Sequence, residues 1–132
     1  MSAISTTRVL LADDEERLVS IMAERLRTRG LEVEIVFSGE DAVKRVEEMR
    51  SYHSVVLDLS MPGIGGLEAL RRIRRIMPTL PVIILTGQGT ADQALEAVTI
   101  GAFDYLHKPV DINALLAKIL EAKRKAVQEK EQ

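Results

Sequence analysis

The stretch VVLDLSMPGIGG, residues 55–66, decides the fold of this chain. Its first three residues are β-branched or aliphatic, and a short apolar run between turn residues is typical of a strand buried on both faces of a parallel sheet. Asp58 ends the run, and Met61, Pro62 and Gly63 follow it. A carboxylate at this position can simply accept hydrogen bonds from the amides of the turn. The rest of the chain decides whether Asp58 does more.

Apolar runs of strand length alternate with helical patterns along the chain. In the first predicted helix, Leu18, Ile21, Met22 and Leu26 recur at helical spacing, and later segments repeat the pattern. Strand and helix repeated five times predict a parallel sheet with right-handed crossovers and helices on both faces. Glutamates alternate with apolar residues in the second run, which predicts an edge strand. The predicted strands are residues 8–12, 31–36, 54–58, 81–86 and 102–106.

Capping residues stand at the expected ends of the helices. Ser38 and Thr90 each precede an acidic or amide residue by three positions, which is the spacing of a capping box. Asp111 is in place to cap the last helix. Gly30 and Gly101 lie where the first and fourth helices should stop.

Length and composition indicate one globular domain. The chain has 132 residues, 46% hydrophobic and 29% charged, with a net charge of −2 and no cysteine, which argues against disorder, disulfides and a generally basic surface. We expect an N-terminal tail over residues 1–7, the domain over 8–121, and a C-terminal tail or the start of a linker helix over 122–132. Basic clusters at 71–75 and 123–125 lack interleaved aromatic residues, so we expect no direct nucleic-acid binding. Without a signal-like start or a membrane-length apolar run, we expect a cytoplasmic protein with no membrane contact.

Side chains suited to chemistry collect at the carboxyl ends of the predicted strands. Asp13 and Asp14 follow the first strand, Asp58 ends the third, Thr86 ends the fourth and Lys108 follows the fifth. Open parallel sheets bind their ligands at these ends. Each residue has an ordinary structural explanation, such as the favourable placement of acidic residues at a helix start. Their coincidence at the same end of one sheet favours a functional site.

The charges of these residues indicate the chemistry. Three crowded carboxylates repel one another unless one is protonated or a cation neutralises them. Mg²⁺, with Mn²⁺ as an alternative, suits such oxygen ligands and usually shares its remaining positions with phosphate. Lys108 and Thr86 can hold phosphoryl oxygens as a charge and a donor. The pattern predicts phosphoryl transfer with Asp58 as the accepting nucleophile, while Asp13 and Asp14 hold the metal.

Four segments carry a resemblance to a known family. LLADDE, VVLDLSMPGIGGLEAL, VIILTGQG and GAFDYLHKP, in that order, resemble the receiver domain of two-component response regulators from Arg8 to about Leu120. The resemblance implies an α/β, flavodoxin-like fold with a doubly wound, five-stranded parallel sheet of order 2-1-3-4-5 and five helices. It also implies a phosphorylation-controlled signalling switch, not an enzyme acting on a separate substrate. The phosphoryl donor would be a sensor histidine kinase or phosphotransfer protein, and the regulated output would lie in another module.

The resemblance also implies individual roles in the phosphorylation chemistry. Asp13, Asp14 and Asp58 match the metal ligands of the family, and the backbone carbonyl of Ser60 is implied as a further ligand. Asp58 matches the phosphoacceptor and Lys108 the catalytic lysine. The peptide bond that follows Lys108 is expected to be cis.

Further implied roles concern signalling. Thr86 matches the switch hydroxyl as well as a catalytic position, and Tyr105 matches the switch aromatic. Ser60 and Gln88 match variable positions that tune the lifetime of the phosphoryl group. A homodimer through helix four, strand five and helix five is an implied association.

Three rival functions are less well supported. An aspartyl-phosphate phosphatase typically uses a second Asp two residues after the nucleophile, and Ser60 stands there. A pure interaction module without phosphorylation chemistry is disfavoured by the intact set of five site residues. The GIGG sequence follows the third strand and lacks the full glycine spacing of a dinucleotide-binding loop.

Overall fold

The structure is a computed structural model that describes residues 6–87 and 91–131. Within those residues, strands and helices alternate strictly along the chain. The strands are β1 (Arg8–Ala12), β2 (Glu32–Val36), β3 (Ser54–Asp58), β4 (Val82–Thr86) and β5 (Asp104–His107). The helices are α1 (Glu16–Arg27), α2 (Gly39–Glu48), α3 (Gly65–Ile76), α4 (Ala91–Ile100) and α5 (Ile112–Glu131).

The sheet has the predicted order 2-1-3-4-5, and every neighbouring pair of strands is parallel. β3 occupies the centre and all five of its residues are buried, whereas β2 is an edge strand as predicted. One hydrophobic core lies under α1 and α5, and a second lies under α2, α3 and α4. This doubly wound arrangement brings the ends of β1, β3 and β4 together at one edge of the sheet.

The predicted bounds of the fifth strand are wrong at both ends. The sequence predicts a strand over 102–106, but β5 is Asp104–His107. Gly101 has a φ of +125°, and the amide of Ala102 donates to the carbonyl of Ala97 at 2.9 Å. Ala102 therefore closes the end of α4 instead of starting the strand. The second and fourth strands also begin one residue later than predicted.

The apolar residues named for the first predicted helix do not all face the core. Leu18 and Ile21 are 39% and 43% exposed. The helix carries two overlapping apolar patterns of similar spacing, and the rotation of α1 about its axis decides which of them packs against the sheet. The buried residues of α1 are Val19, Met22, Ala23 and Leu26.

The helix ends follow the capping signals within the described residues. The Ser38 hydroxyl accepts a hydrogen bond from the Asp41 amide at 3.1 Å, and Asp111 accepts one from the amide two residues later at 3.0 Å. Gly30 follows α1 with positive φ. Thr90 lies outside the described residues.

The last helix extends beyond the predicted end of the domain. α5 runs to Glu131, and Ala122 within it is fully buried. The functional boundary between residues 121 and 122 stays a prediction. Among the described residues, no helix combines the length and apolar content that a bilayer span requires.

Candidate functional site

Three carboxylates meet at the carboxyl end of the sheet, as the sequence predicts. Asp13 follows β1, and Asp58 ends the neighbouring β3. Together with Asp14 they offer carboxylate oxygens that lie within 4.8 Å of one another. Asp13 is 0% exposed and Asp58 2% exposed, while Asp14 is exposed. The site thus has two buried acidic groups and one that faces solvent.

Lys108 follows the edge strand β5, and its side chain extends to this cluster. Its backbone amide donates to the Thr86 carbonyl at 2.7 Å. Its Nζ atom lies 3.0 Å from Asp13 Oδ2 and 3.4 Å from Asp58 Oδ1. A third contact, at 3.0 Å, joins it to Glu15 Oε1, which the sequence did not place in the site. The peptide bond between Lys108 and the following proline is cis, as expected.

The surroundings of Asp58 and Lys108 shift the pKa values of these two groups. Burial, followed by the negative charge of Asp13, raises the pKa of Asp58 to about 6, although Lys108 and the Ser60 amide act in the opposite direction. Burial alone would lower the pKa of Lys108, but the carboxylates of Asp13, Glu15 and Asp58 raise it above its usual range. Near neutral pH, the site holds crowded negative charge around one ammonium group.

The donor set fits a hard divalent cation. Asp13 Oδ1 accepts a hydrogen bond from the Glu15 amide at 3.0 Å. Within the described part of the chain, however, the buried atoms Asp13 Oδ2 and Asp58 Oδ1 accept no hydrogen bond, although the Lys108 ammonium lies close to both. Buried oxygens normally have such partners. Carboxylate oxygens that lack them, beside the exposed Asp14, are suitable ligands for Mg²⁺ or Mn²⁺.

An open cleft of about 320 Å³ gives access to these groups. Ser60 is exposed at its wall, and the role of its backbone carbonyl as a metal ligand stays a prediction. Gln88, the other predicted lifetime residue, lies outside the described residues. The cleft is lined by Asp14, Glu15, Asp58, Ser60, Gly87 and Lys108. A tetrahedral phosphoryl group can therefore approach Asp58 from solvent.

Thr86 lies beside this cleft at the end of β4, with 1% of its surface exposed. Its Oγ1 atom lies 3.0 Å from Nδ1 of His107, its register partner on β5. The ring of Tyr105 meets the His107 ring edge-on, with 5.6 Å between centroids and 86° between planes. The sequence indicated Thr86 and Tyr105 but not His107. The signal that could have indicated His107 is its position two residues after Tyr105, which places both side chains on the same face of the strand.

The arrangement supplies the parts that phosphoryl transfer needs. Asp58 presents a carboxylate that can act as a nucleophile at the end of a buried strand, and Lys108 places a positive charge beside it. The carboxylates of Asp13 and Asp14 can share a cation with Asp58. This chemistry resembles that of enzymes that form an aspartyl phosphate.

Comparisons with known proteins agree with this geometry. Residues 9–120 match the model of the response regulator receiver domain. The chain is 36% identical over 116 residues to the uncharacterized transcriptional regulatory protein YkoG of Bacillus subtilis, covering 88% of this chain and 50% of that protein. It is 34% identical over 122 residues to the transcriptional regulatory protein TcrA of Mycobacterium tuberculosis, covering 92% of this chain and 48% of that one. The chain thus spans about half the length of these relatives.

A solved structure shows the same fold. The response regulator receiver domain protein from Clostridium thermocellum superposes with a TM-score of 0.87 at 34% identity, covering 90% of this chain and 95% of that chain. The family match extends from β1 to α5 and includes the three clustered aspartates and Lys108. The chain therefore belongs to the response regulator receiver domain family.

Proposed function

We propose that this chain accepts a phosphoryl group on Asp58 in a Mg²⁺-dependent reaction and acts as a signalling switch. The observation that carries the proposal is the cluster of three carboxylates around Lys108, whose ammonium lies 3.0 Å from Asp13 Oδ2 and 3.4 Å from Asp58 Oδ1. One ammonium group does not neutralise the three clustered carboxylates. A divalent cation held by them would supply the missing positive charge, and that cation and Lys108 could then hold the oxygens of a phosphoryl group on Asp58.

The proposed transfer joins Asp58 to phosphorus and releases the donor. One carboxylate oxygen of Asp58 attacks the phosphorus of a phosphohistidine in line with the departing nitrogen. The new O–P bond forms as the P–N bond breaks, and the electron pair of that bond stays on the imidazole, which takes up a proton. Lys108 balances charge on the phosphoryl oxygens. Asp13, Asp14, Asp58 and the Ser60 carbonyl would hold Mg²⁺, which would neutralise charge at those oxygens.

Phosphorylation with a small donor tests the proposal. Acetyl phosphate and Mg²⁺ should add one phosphoryl group, seen by intact mass, and the adduct should be labile to hydroxylamine as an acyl phosphate is. Asp58→Asn should abolish it, because the amide cannot form the acyl phosphate. Asp41→Asn, the same chemical change at an exposed helix start, should be modified like the wild type. An adduct that persists in Asp58→Asn would contradict the assignment.

The donor is proposed to be a sensor histidine kinase or a phosphotransfer protein. Leu18 and Ile21 leave apolar side chains exposed on α1, beside Glu15. Glu15 contacts Lys108, so this apolar patch adjoins the cleft from which Asp58 is reached. A protein that presents a phosphohistidine to Asp58 can bury these side chains. Ile21→Ala should slow transfer from a kinase and leave transfer from acetyl phosphate unchanged.

The output is proposed to pass through Thr86 and Tyr105. A phosphoryl group on Asp58 offers strong acceptor oxygens to the Thr86 hydroxyl. Movement of Thr86 would allow Tyr105 to turn inward and change the surface of α4, β5 and α5. Leu95 and Val98 are 66% and 46% exposed on α4. This surface is suited to a phosphorylation-dependent homodimer.

Two further parts of the proposal concern lifetime and output module. Ser60, at the cleft wall, and Gln88 are proposed to tune dephosphorylation by the chain itself.

The relatives YkoG and TcrA are named as transcriptional regulatory proteins and are about twice as long as the matched region. We propose that residues 122–132 lead towards a separate output module and that this domain binds no nucleic acid itself. We further propose a cytoplasmic location.

A further inference from the structure

The Thr86 hydroxyl already has a partner in this structure. Its Oγ1 atom lies 3.0 Å from His107 Nδ1, and the Thr86 side chain is buried. β4 separates β3 from β5, so His107 lies on one side of Thr86 and Asp58 lies on the other. A hydroxyl group has a single proton to donate. The hydroxyl can therefore donate towards His107 or towards a phosphoryl group on Asp58, but not to both.

The sheet register holds His107 in this position. Thr86 and His107 are paired residues of neighbouring parallel strands. Tyr105 precedes His107 by two residues and lies on the same face, where the two rings meet edge-on. His107 thus contacts both residues to which we assign the switch. The register of β4 and β5 and the packing of the two rings place it there.

We propose that His107 is a positioning residue that competes with the phosphoryl group for the Thr86 hydroxyl. With its proton on Nε2, a neutral imidazole accepts the hydroxyl proton at Nδ1. His107 is exposed, so water can replace Thr86 as its partner when the hydroxyl leaves. The hydroxyl of Thr86 is buried and has little access to water, so the phosphoryl oxygen is the replacement partner that phosphorylation offers it. His107 therefore stabilises the unphosphorylated state, and the inference rests on the proposed phosphorylation of Asp58.

The competition predicts how His107 variants respond to a phosphoryl mimic. Loss of the imidazole nitrogen leaves the Thr86 hydroxyl without its acceptor in the unphosphorylated state only. Because one hydrogen bond of this kind changes an equilibrium by about two- to tenfold, beryllofluoride should bind the variant about two- to tenfold more tightly. The sign of the change distinguishes competition from a supporting role, in which loss of His107 would weaken binding.

Beryllofluoride titration in the presence of Mg²⁺, followed by amide NMR, measures this affinity. His107→Phe keeps a ring against Tyr105 but removes the nitrogen, and it should bind the mimic more tightly. His107→Asn retains a polar atom near the position of Nδ1 and should restore an affinity near that of the wild type. His107→Ala provides a second removal of the nitrogen and should change the affinity in the same direction as His107→Phe.

Two controls separate this role from general structural effects. In a Thr86→Val background there is no hydroxyl to compete for, so adding His107→Phe should leave the beryllofluoride affinity of that background unchanged. His53→Phe makes the same substitution at the opposite end of the sheet, where His53 Nδ1 accepts from the Arg8 amide. It should bind the mimic like the wild type.

The outcomes distinguish this inference from the proposed function. Failure of wild-type protein to bind beryllofluoride would overturn the phosphorylation of Asp58 itself. Normal wild-type binding with unchanged or weaker binding by His107→Phe and His107→Ala would overturn the competition alone. An equal effect of His107→Phe with and without the Thr86 hydroxyl would also overturn it.

Discussion

The ammonium nitrogen of Lys108 lies 3.0 Å from Oδ2 of Asp13, which joins the loop after β5 to the loop after β1 across the end of the sheet. Asp13 is fully buried and Lys108 largely so. The pair brings the cation within 3.4 Å of Asp58. In this structure, Lys108 is therefore the counter-charge of the acidic cluster, in addition to the part in phosphorylation that we propose for it.

Replacement of Lys108 by Met should destabilise the metal-free protein. Removal of one partner leaves buried carboxylates uncompensated, which usually costs several kcal/mol. Asp58 can reduce this cost by taking up a proton, since its pKa is already about 6. We expect a loss of about 1–3 kcal/mol in urea unfolding at neutral pH. Mg²⁺ should stabilise the variant more than the wild type. An equal gain in both proteins would argue against the idea that Mg²⁺ and the Lys108 ammonium both neutralise the carboxylates.

Mg²⁺ should raise the melting temperature of the wild-type protein. A ligand that binds only the folded state stabilises it by about 2.7 kcal/mol at a concentration of 100 Kd. Asp13→Asn and Asp58→Asn each remove a charged ligand and should shrink the gain. Asp92→Asn, on the exposed first turn of α4, is the matched control and should keep it. Undiminished stabilisation in both site variants would refute the metal site.

The stability of the metal-free protein should depend on the titration of Asp58. Burial and the nearby Asp13 raise its pKa in the folded state to about 6, well above the ordinary value for an aspartate. The folded state therefore binds this proton more tightly than the unfolded chain, and the resulting stabilisation is complete below about pH 4 and is lost as pH rises through 6. Asp58→Asn cannot ionise, so at pH 8 it should be about 1–3 kcal/mol more stable than the wild type.

The difference in unfolding free energy between Asp58→Asn and the wild type should become smaller as the pH falls towards 4. Urea unfolding in the presence of a chelator, at a series of pH values, measures it. A difference that stays constant across this range would show that charge on Asp58 is not its cause.

Thr86→Ala should separate phosphorylation from switching. The variant keeps Asp58, Lys108 and the metal ligands, so it should still accept a phosphoryl group from acetyl phosphate. Without the hydroxyl, the ring of Tyr105 should lose most of its response to beryllofluoride, because a ligand shifts a conformational equilibrium only through a difference in its interactions with the two states. NMR of the Tyr105 ring and sedimentation report the switch and the association. A full response in Thr86→Ala would disprove the coupling.

Two neighbouring glycines should respond differently to alanine substitution. A Cβ atom on Gly66 would lie 2.6 Å from the carbonyl oxygen of Asp58 and 2.6 Å from the Cα of Leu59, both backbone atoms. A Cβ on Gly65 would meet nothing within 4 Å, although its φ of +77° is costly for alanine. Gly66→Ala should therefore lose about 2–4 kcal/mol of unfolding free energy and displace Asp58, whereas Gly65→Ala should lose about 1 kcal/mol. Thermal melts and the phosphorylation rate measure the two effects.

The sequence alone supports the fold because its signals are local. The run that ends at Asp58, with its β-branched residues and turn, identifies a buried strand without knowledge of any neighbour. Capping at Ser38 depends on residues three positions apart, and the structure contains that bond. The limits of the strands are harder to predict from the sequence. Ala102 belongs to the end of α4 because its amide donates to the Ala97 carbonyl, and β-propensity carries no information about that contact.

The sequence by itself determined the layers, the strand order implied by its family resemblance, and which residue types stand at the carboxyl ends of the strands. Only the tertiary structure decided that Glu15 also contacts Lys108, that Leu18 stays exposed on α1, and that the Thr86 hydroxyl bonds to His107. These features depend on helix rotation, strand register and side-chain rotamers. They are set by packing between residues far apart in the chain, and periodicity along a single segment carries no information about them.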